Sequence, residues 1–296
     1  MAKAWTAAKR GRRIHPLTVL NYLLLLGLFV ITLYPFWYVV VMALSSSSSV
    51  TSYKVLFLPE NFTLSNIQYV ISTPDFFQIY ANTGFVVIVG TLCSLLATLL
   101  LSYGLTQNVL GIRVVRLLVL FTMLFSGGMI PTYLIVRETG LLNNLWSLIL
   151  PGLVSPFNTF LLVNALKSLP PSLSESAELD GAGTLRILFR IILPLSLPTM
   201  ATLLLFYAVA YWNKYFSAIL YVPKRENWVL QVLLRQILIN DDQGSVGGGT
   251  TDTLVAQMGV TLKMATVVTA VIPIMLVYPF VQKYFIKGVM VGAVKE

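Results

Sequence analysis

Apolar positions in this chain run in long unbroken blocks separated by short polar interruptions, and the blocks carry no charge. The first, from Ile14 to Tyr53, predicts a helix over residues 17–44. The second, from Phe76 to Ile112, predicts a helix over 78–105. A third block, 117–136, contains Ser126, Gly127, Gly128 and Pro131, which make its second half deformable. The fourth window, 139–166, carries Pro151, Pro156 and Asn158 and predicts a kinked helix. Residues 191–213 and 264–282 supply a fifth and a sixth. Each window is close to or above the roughly 20 apolar residues that cross a bilayer. The pattern predicts an all-α, polytopic membrane protein with six transmembrane helices. Its expected plan is a tail at 1–16, a first helix at 17–44 and a loop at 45–76, whose serine run Ser45 to Ser49 leaves room for one short helix. A five-helix core at 77–285 follows, interrupted by a loop at 167–194 and another at 221–261, and a tail at 286–296 closes the chain.

Composition agrees: the 296 residues are 57% hydrophobic and only 10% charged, with a mean hydropathy of +0.82, too apolar for a water-soluble domain of this length. A net charge of +9 would suggest nucleic acid in a soluble protein. Here the basic residues gather on one side of the six-helix plan, from Lys3 to Arg13, at Arg113, Arg116, Lys167, Arg186 and Arg190, and from Lys283 onward. Most acids, among them Glu60, Asp75, Glu138 and Glu226, fall on the other. The positive-inside rule then places both termini in the cytoplasm and removes the need for nucleic acid as a partner. The first apolar block exceeds the core of a secretory signal, and Pro35, Phe36, Trp37 and Tyr38 do not resemble a cleavage site, so it is expected to stay as an anchor.

Candidate chemistry is sparse. One cysteine, Cys93, and one histidine, His15, exclude an internal disulfide, a cysteine metal cluster and a histidine proton relay. No GxxxxGK[ST] motif and no Gly-Lys dipeptide occur, so no loop of that kind holds nucleotide phosphates. No acid lies deep in a predicted span, where ion-coupled carriers need one. What remains is neutral and aromatic: Asn82, Asn158, Tyr211, Trp212 and Asn213. Amides and rings suit hydroxyl-rich sugars, by hydrogen bonding and by stacking, and equally suit bonding between helices. Lys214, Arg225, Arg235 and Lys263, near the outer ends of the spans, attract an acidic solute or balance nearby acids.

The longest polar interruption on the basic side is Pro170 to Pro194. Pro170 and Pro171 stop the preceding helix, and Ser172 with Glu175 has the spacing of a capping box that starts a short helix ending near Gly181. Gly181, Ala182 and Gly183 form a small-residue break. Leu185, Leu188, Phe189 and Ile192 then recur at helical spacing with Arg186 and Arg190 on the other face. The series Glu175, Ser176, Ala177, three residues, Gly181, nine residues, Ile191, Ile192, Leu193, Pro194 resembles the EAA loop of ABC importer permeases; only Ser176, in place of an alanine, departs. The segment Leu58 to Asn66, FSGGMIP from Phe125 to Pro131, and the ending Tyr278 to Lys295 resemble the carbohydrate-uptake branch. Together these cover most of the chain. They are similar to the smaller permease of maltose importers and, more narrowly, to importers of uronate oligosaccharides such as alginate.

The resemblance implies a type I ABC importer permease in the inner membrane of a bacterium, with no catalytic residue, metal or cofactor of its own. A second related permease, two ATPase subunits holding ATP and Mg, and an extracytoplasmic solute-binding protein would be its partners, and a carbohydrate its cargo. Glu175, Ser176, Ala177, Gly181, Ala182, Gly183 and Pro194 would couple it to the ATPase. Asn82, Asn158, Tyr211, Trp212 and Asn213 would line the path. Gly244, Gly247, Gly248 and Gly249 would reach into the binding protein, although such a run is equally a plain linker. A self-sufficient secondary carrier and a membrane scaffold that binds an ATPase without conducting remain the alternatives.

Overall fold

A computed structural model describes residues 16–52, 55–239 and 259–293, and every regular element among them is helical. Helix α1, Pro16–Ala43, starts on a proline, which is preorganised for a first turn. It is apolar on all sides. From Leu17 to Phe36 its large side chains stand exposed, as suits a helix surrounded by hydrocarbon rather than by protein.

The chain folds into two compact units, the first being residues 1–67 with 259–268. In it the serine run ends one helix and starts another. Ser45 and Ser49 are buried, and Ser46 caps α2, Ser47–Thr51, by accepting from the Ser49 N–H at 3.3 Å. Asn66 donates to the carbonyls of Ala43 at 3.0 Å and Ser45 at 2.9 Å, satisfying acceptors that the end of α1 leaves open. Val41, Met42 and Val55 form a small core beside these bonds.

The second unit, residues 68–258 with 269–296, is built around a pair of helices. Helix α3, Ser65–Ser72, leads to α4, Phe76–Thr106, and α4 packs along its length against α10, Leu193–Trp212. Small residues recur every four positions on α4, at Gly90, Ser94, Thr98 and Ser102. They let the backbones approach in the manner of small-xxx-small stripes. A Cβ on Gly90 would stand 2.9 Å from the Tyr211 ring. Farther along, the Ser94 hydroxyl meets the Tyr211 hydroxyl at 2.8 Å, the Thr98 hydroxyl meets that of Tyr207 at 2.6 Å, and Ser102 donates to the Thr159 carbonyl at 3.1 Å.

The third predicted span is divided. Helix α5, Ile112–Leu124, and helix α6, Met129–Glu138, meet at 116°. Phe125 leaves the helix in extended geometry and Gly128 takes φ +86, ψ 174, a region open essentially to glycine alone. The fourth is bent by 51°: 3₁₀ turns at Leu145–Leu148 and Leu150–Gly152 precede α7, Pro156–Lys167, whose first turn Ser155 caps. Pro151 and Pro156 stand in the first turns of their helices, where a missing N–H costs no ladder bond, so the chain restarts there after the bend. After α10 come α11, Phe216–Tyr221, a 3₁₀ turn at Arg225–Asn227 and α12, Leu230–Ile239. Helix α13, Val260–Ala293, is apolar from Val260 to Leu276, which overlaps the predicted sixth window, 264–282. Among the described residues, three helices are long and apolar enough to cross a membrane, and the two bent pairs raise the number to five.

Candidate functional site

The polar interruption between α7 and α10 is a helical hairpin. Helix α8, Ser172–Leu179, and helix α9, Thr184–Ile187, lead through one wide turn, Leu188–Ile192, into α10. The capping box does not form. Pro171 already has helical φ and ψ, −63° and −26°, and its carbonyl accepts from the N–H groups of Ser174 and Glu175. Ser172 is therefore inside the first turn, and Glu175 lies one position too far along to reach back.

At the other end of α8, Gly181 has φ +78, its N–H donates to Glu178 at 2.9 Å, and the Ala182 N–H donates to Ala177 at 2.9 Å. This paired closure is a Schellman motif, and it requires a left-handed residue at Gly181. Ala177 and Ala182, whose backbones share that bond, both pack on the main core. The closure thus anchors one side of the hairpin and leaves Glu175, Ser176, Leu179 and Gly181 exposed. Leu179 is 90% exposed. The buried face of the second arm differs from the spacing-based expectation: Ile187, Leu188 and Ile192 are buried, while Leu185 and Phe189 are exposed. The closing turn fixes the direction of α9, and the wide turn then shifts the phase. Leu193 donates to Leu188, five residues back, because Pro194 has no N–H and its ring would press on the carbonyl four residues behind it. Pro194 itself is exposed, and Gly183 is the extended residue from which α9 starts.

The residues expected to line a path separate into two groups. Asn158 and Tyr211 share a cleft of about 350 Å³ with Ser155, Phe157, Phe206 and Lys214. Asn82, Trp212 and Asn213 do not line it. The Asn82 amide donates to the carbonyls of Glu226 and Trp228 at 2.9 and 3.0 Å and accepts from Gln78 at 3.0 Å, so it ties α4 to the 3₁₀ turn. Trp212 packs on the cluster of Ile79, Leu230 and Ala270. Asn213, exposed, donates back to the Val209 carbonyl at 2.9 Å. Gly244, Gly247, Gly248 and Gly249 lie outside the described residues.

The cleft also contains Tyr207, which sequence reasoning left unassigned, and Lys214, for which it left two roles open. Tyr207 accepts from the Ser155 N–H at 3.0 Å, so the hydroxyl that holds Thr98 also fixes the start of α7. The Lys214 ammonium stands 4.7 Å from the centre of the Tyr211 ring. Burial lowers its pKa to about 8. Other cations near this end are engaged: Arg225 with Asp75 at 3.0 Å, Lys224 with Glu226 at 3.9 Å, and Arg235 over the Tyr215 ring at 4.5 Å. None of the ion pairs among the described residues involves Lys214. The four-residue spacing of Ser94, Thr98 and Ser102 was a readable signal for the partner stripe of Tyr207 and Tyr211.

Comparison with known proteins decides the family. The family described as binding-protein-dependent transport system inner membrane component matches residues 103–291, more than half of the chain. The chain belongs to this family. The permease is 42% identical, over 96% of its own length and 99% of the other, to the polygalacturonan/rhamnogalacturonan transport system permease protein YtcP of Bacillus subtilis. It is also 42% identical to protein LplC of the same organism, over 94% of each chain. Among solved structures it is similar, at a TM-score of 0.84 and 32% identity over 96% of its length and all of the other chain, to a chain of a bacterial ABC transporter involved in the import of the acidic polysaccharide alginate. The permease is thus a multi-pass membrane protein with the all-α fold of a type I ABC importer permease. Its matched region contains both the hairpin and Lys214.

Proposed function

We propose that this permease is one of two related membrane subunits of an ATP-driven importer for oligosaccharides that carry uronic acid units. Two ATPase subunits hold the ATP and Mg, and the α8–α9 hairpin sits in a groove of one of them on the cytoplasmic side, where both termini also lie. An extracytoplasmic binding protein delivers the sugar at the opposite face of the bacterial inner membrane, and the segment around Gly244 to Gly249 reaches toward it. The hairpin carries this reading. Glu175, Ser176 and Leu179 are exposed on a helix whose far end is locked by the Gly181 closure, with Ala177 and Ala182 seated on the core. A face held rigidly, presenting the exposed acids Glu175, Glu178 and Asp180 and an exposed leucine, suits a groove with a basic rim on a soluble partner. Because Gly183 leads directly into α9 and α10, movement of the hairpin passes along one helical rod to the cleft. Alternating access follows from rigid-body closure, not from an ion gradient. The acidic cargo is supported by Lys214 in the cleft and by the substrates of the relatives.

The test is purification of the tagged chain from native membranes in mild detergent, with an ATPase assay in the presence and absence of the binding protein. Recovery of an ATPase and a second permease, with hydrolysis rising when binding protein loaded with oligogalacturonate is added, is the expected result. Repeated recovery of the chain alone would overturn the reading in favour of a self-sufficient carrier. Recovery of an ATPase without transport by the reconstituted complex would favour a scaffold.

A further inference from the structure

We infer that Lys214, Asn158 and the rings of Phe206 and Tyr211 form a subsite on this subunit that receives one sugar carboxylate as the chain of sugars passes. The inference rests on the acidic-oligosaccharide reading above and assigns, within it, the residue that reads charge. Three observations converge on the cleft. Lys214 brings a cation into a cleft whose other lining residues include no acid and no second base. A partly dehydrated ammonium without a counter-ion is unfavourable, and an arriving carboxylate removes that penalty. The Asn158 side chain, on a residue only 6% exposed, makes no hydrogen bond among the described residues, so its donors and acceptor face the cleft unspent. Phe206 and Tyr211 add flat apolar surface of the kind on which the C–H faces of sugar rings stack. At about 350 Å³ the cleft lies at the small end of ligand sites, enough for a short stretch of a longer chain.

A purely structural role for Lys214 would be its contact with the Tyr211 ring. That contact holds a cation against one wall, and no carboxylate among the described residues pairs with it. Tyr211 is fixed without it, by Ser94 at 2.8 Å and the Ile149 carbonyl at 3.4 Å. The ring therefore positions the ammonium rather than the reverse.

The experiment uses the assembled transporter in lipid nanodiscs without ATP, titrated calorimetrically with trigalacturonate and with fully methyl-esterified trigalacturonate, which has the same rings and no charge. Wild type, Lys214→Met and Lys214→Arg are compared, with assembly checked by co-purification of the partner chains. Wild type should prefer the acid, and Lys214→Met should weaken acid binding by about tenfold or more while leaving the ester unchanged. Lys214→Arg should keep the preference. Where Lys214→Met does not assemble, Lys214→Gln carries the same comparison. An equal loss for acid and ester would mean that the lysine only shapes the cleft, and an unchanged preference would place the charge-reading group elsewhere. In both of those cases the acidic-substrate reading stands and the assignment falls. Binding of neither trimer by wild type would overturn the reading itself and this assignment with it.

Discussion

Lys214 should make acidic-trimer binding depend on pH through one side chain. Its pKa of about 8 means that it is mostly charged at pH 7 and mostly neutral at pH 9, whereas uronate carboxylates are ionised throughout. The other titratable side chains lining the cleft, Tyr207 and Tyr211, are phenols, and no carboxylate lines it. Attraction for an acidic trimer should therefore be full below pH 7 and fall as pH rises through about 8. The same titration on Lys214→Arg should be flat, because a guanidinium keeps its proton across that range. Measuring trigalacturonate affinity at pH 6.5, 8 and 9.5 in both proteins checks this, and parallel curves would refute it. Gly181 is a different case, in which the backbone and not the space decides. Nothing lies within 4 Å of where its Cβ would stand, but φ is +78. Gly181→Ala should cost about 1–2 kcal/mol of hairpin stability, and Gly181→Asn distinctly less, since asparagine tolerates the left-handed region. Retention of ATPase during purification should follow the order Gly, Asn, Ala; equal retention by all three would show that the closure is not what holds the docking face.

Between elements, the interface of α4 and α10 is governed by the absence of bulk on one side. Gly90→Ala would drive a methyl group to 2.9 Å from the Tyr211 ring, and overpacking of this kind costs ~1–3 kcal/mol. Ser94→Ala instead removes a hydroxyl partner, a loss of about 0.6 kcal/mol on average inside membranes. Thermal unfolding of the purified complex should thus rank Gly90→Ala well below Ser94→Ala, and the reverse order would show that hydrogen bonding, not close approach, holds the pair. This stripe of small residues was legible on α4, but its partner on α10 was not. Charge-free windows placed the helices because a bilayer tolerates little else, so the window 78–105 and the helix Phe76–Thr106 nearly coincide. A helix that is apolar on every side offers no moment to show which face meets a neighbour, and the pairing of Ser94 with Tyr211 spans 117 positions. The hairpin was legible as helix, turn, helix because glycine at the turn is a local signal. Its start was misplaced because Pro171 takes over the role that Ser172 has the spacing for. Asn82 and Asn158 looked alike as buried amides, and only tertiary contacts show that one is fully bonded and the other faces a cleft.

For the proposed transport cycle, the consequential feature is that the α8–α9 hairpin and the cleft sit at opposite ends of one rod. Residues Thr184 to Trp212 form 29 consecutive helical positions, about 43 Å at 1.5 Å per residue, and Tyr207, Tyr211 and then Lys214 follow at the far end. Such a rod transmits a tilt only if it bends less than the interfaces it drives. Two features already soften its near part, the wide turn at Leu188–Ile192 and Pro198, whose missing N–H is another gap in the ladder. The far part, from Ala201 onward, has no proline and is clamped to α4 by the two tyrosine hydroxyls. Replacing Ala201 and Ala208 together by glycine removes about 1 kcal/mol of helix preference at each position with almost no change in volume, so docking and cleft residues stay in place. The double variant should assemble with the ATPase and retain basal hydrolysis, but lose most uptake per ATP in proteoliposomes, because closure at the hairpin would be absorbed as bending before it reaches Tyr207. Unchanged uptake per ATP would mean that α10 is not the route and that the drive arrives through another element. Loss of assembly would place the defect at the hairpin instead. Adding Gly181→Asn to the wild type separates those two outcomes, because it perturbs docking while leaving the rod intact.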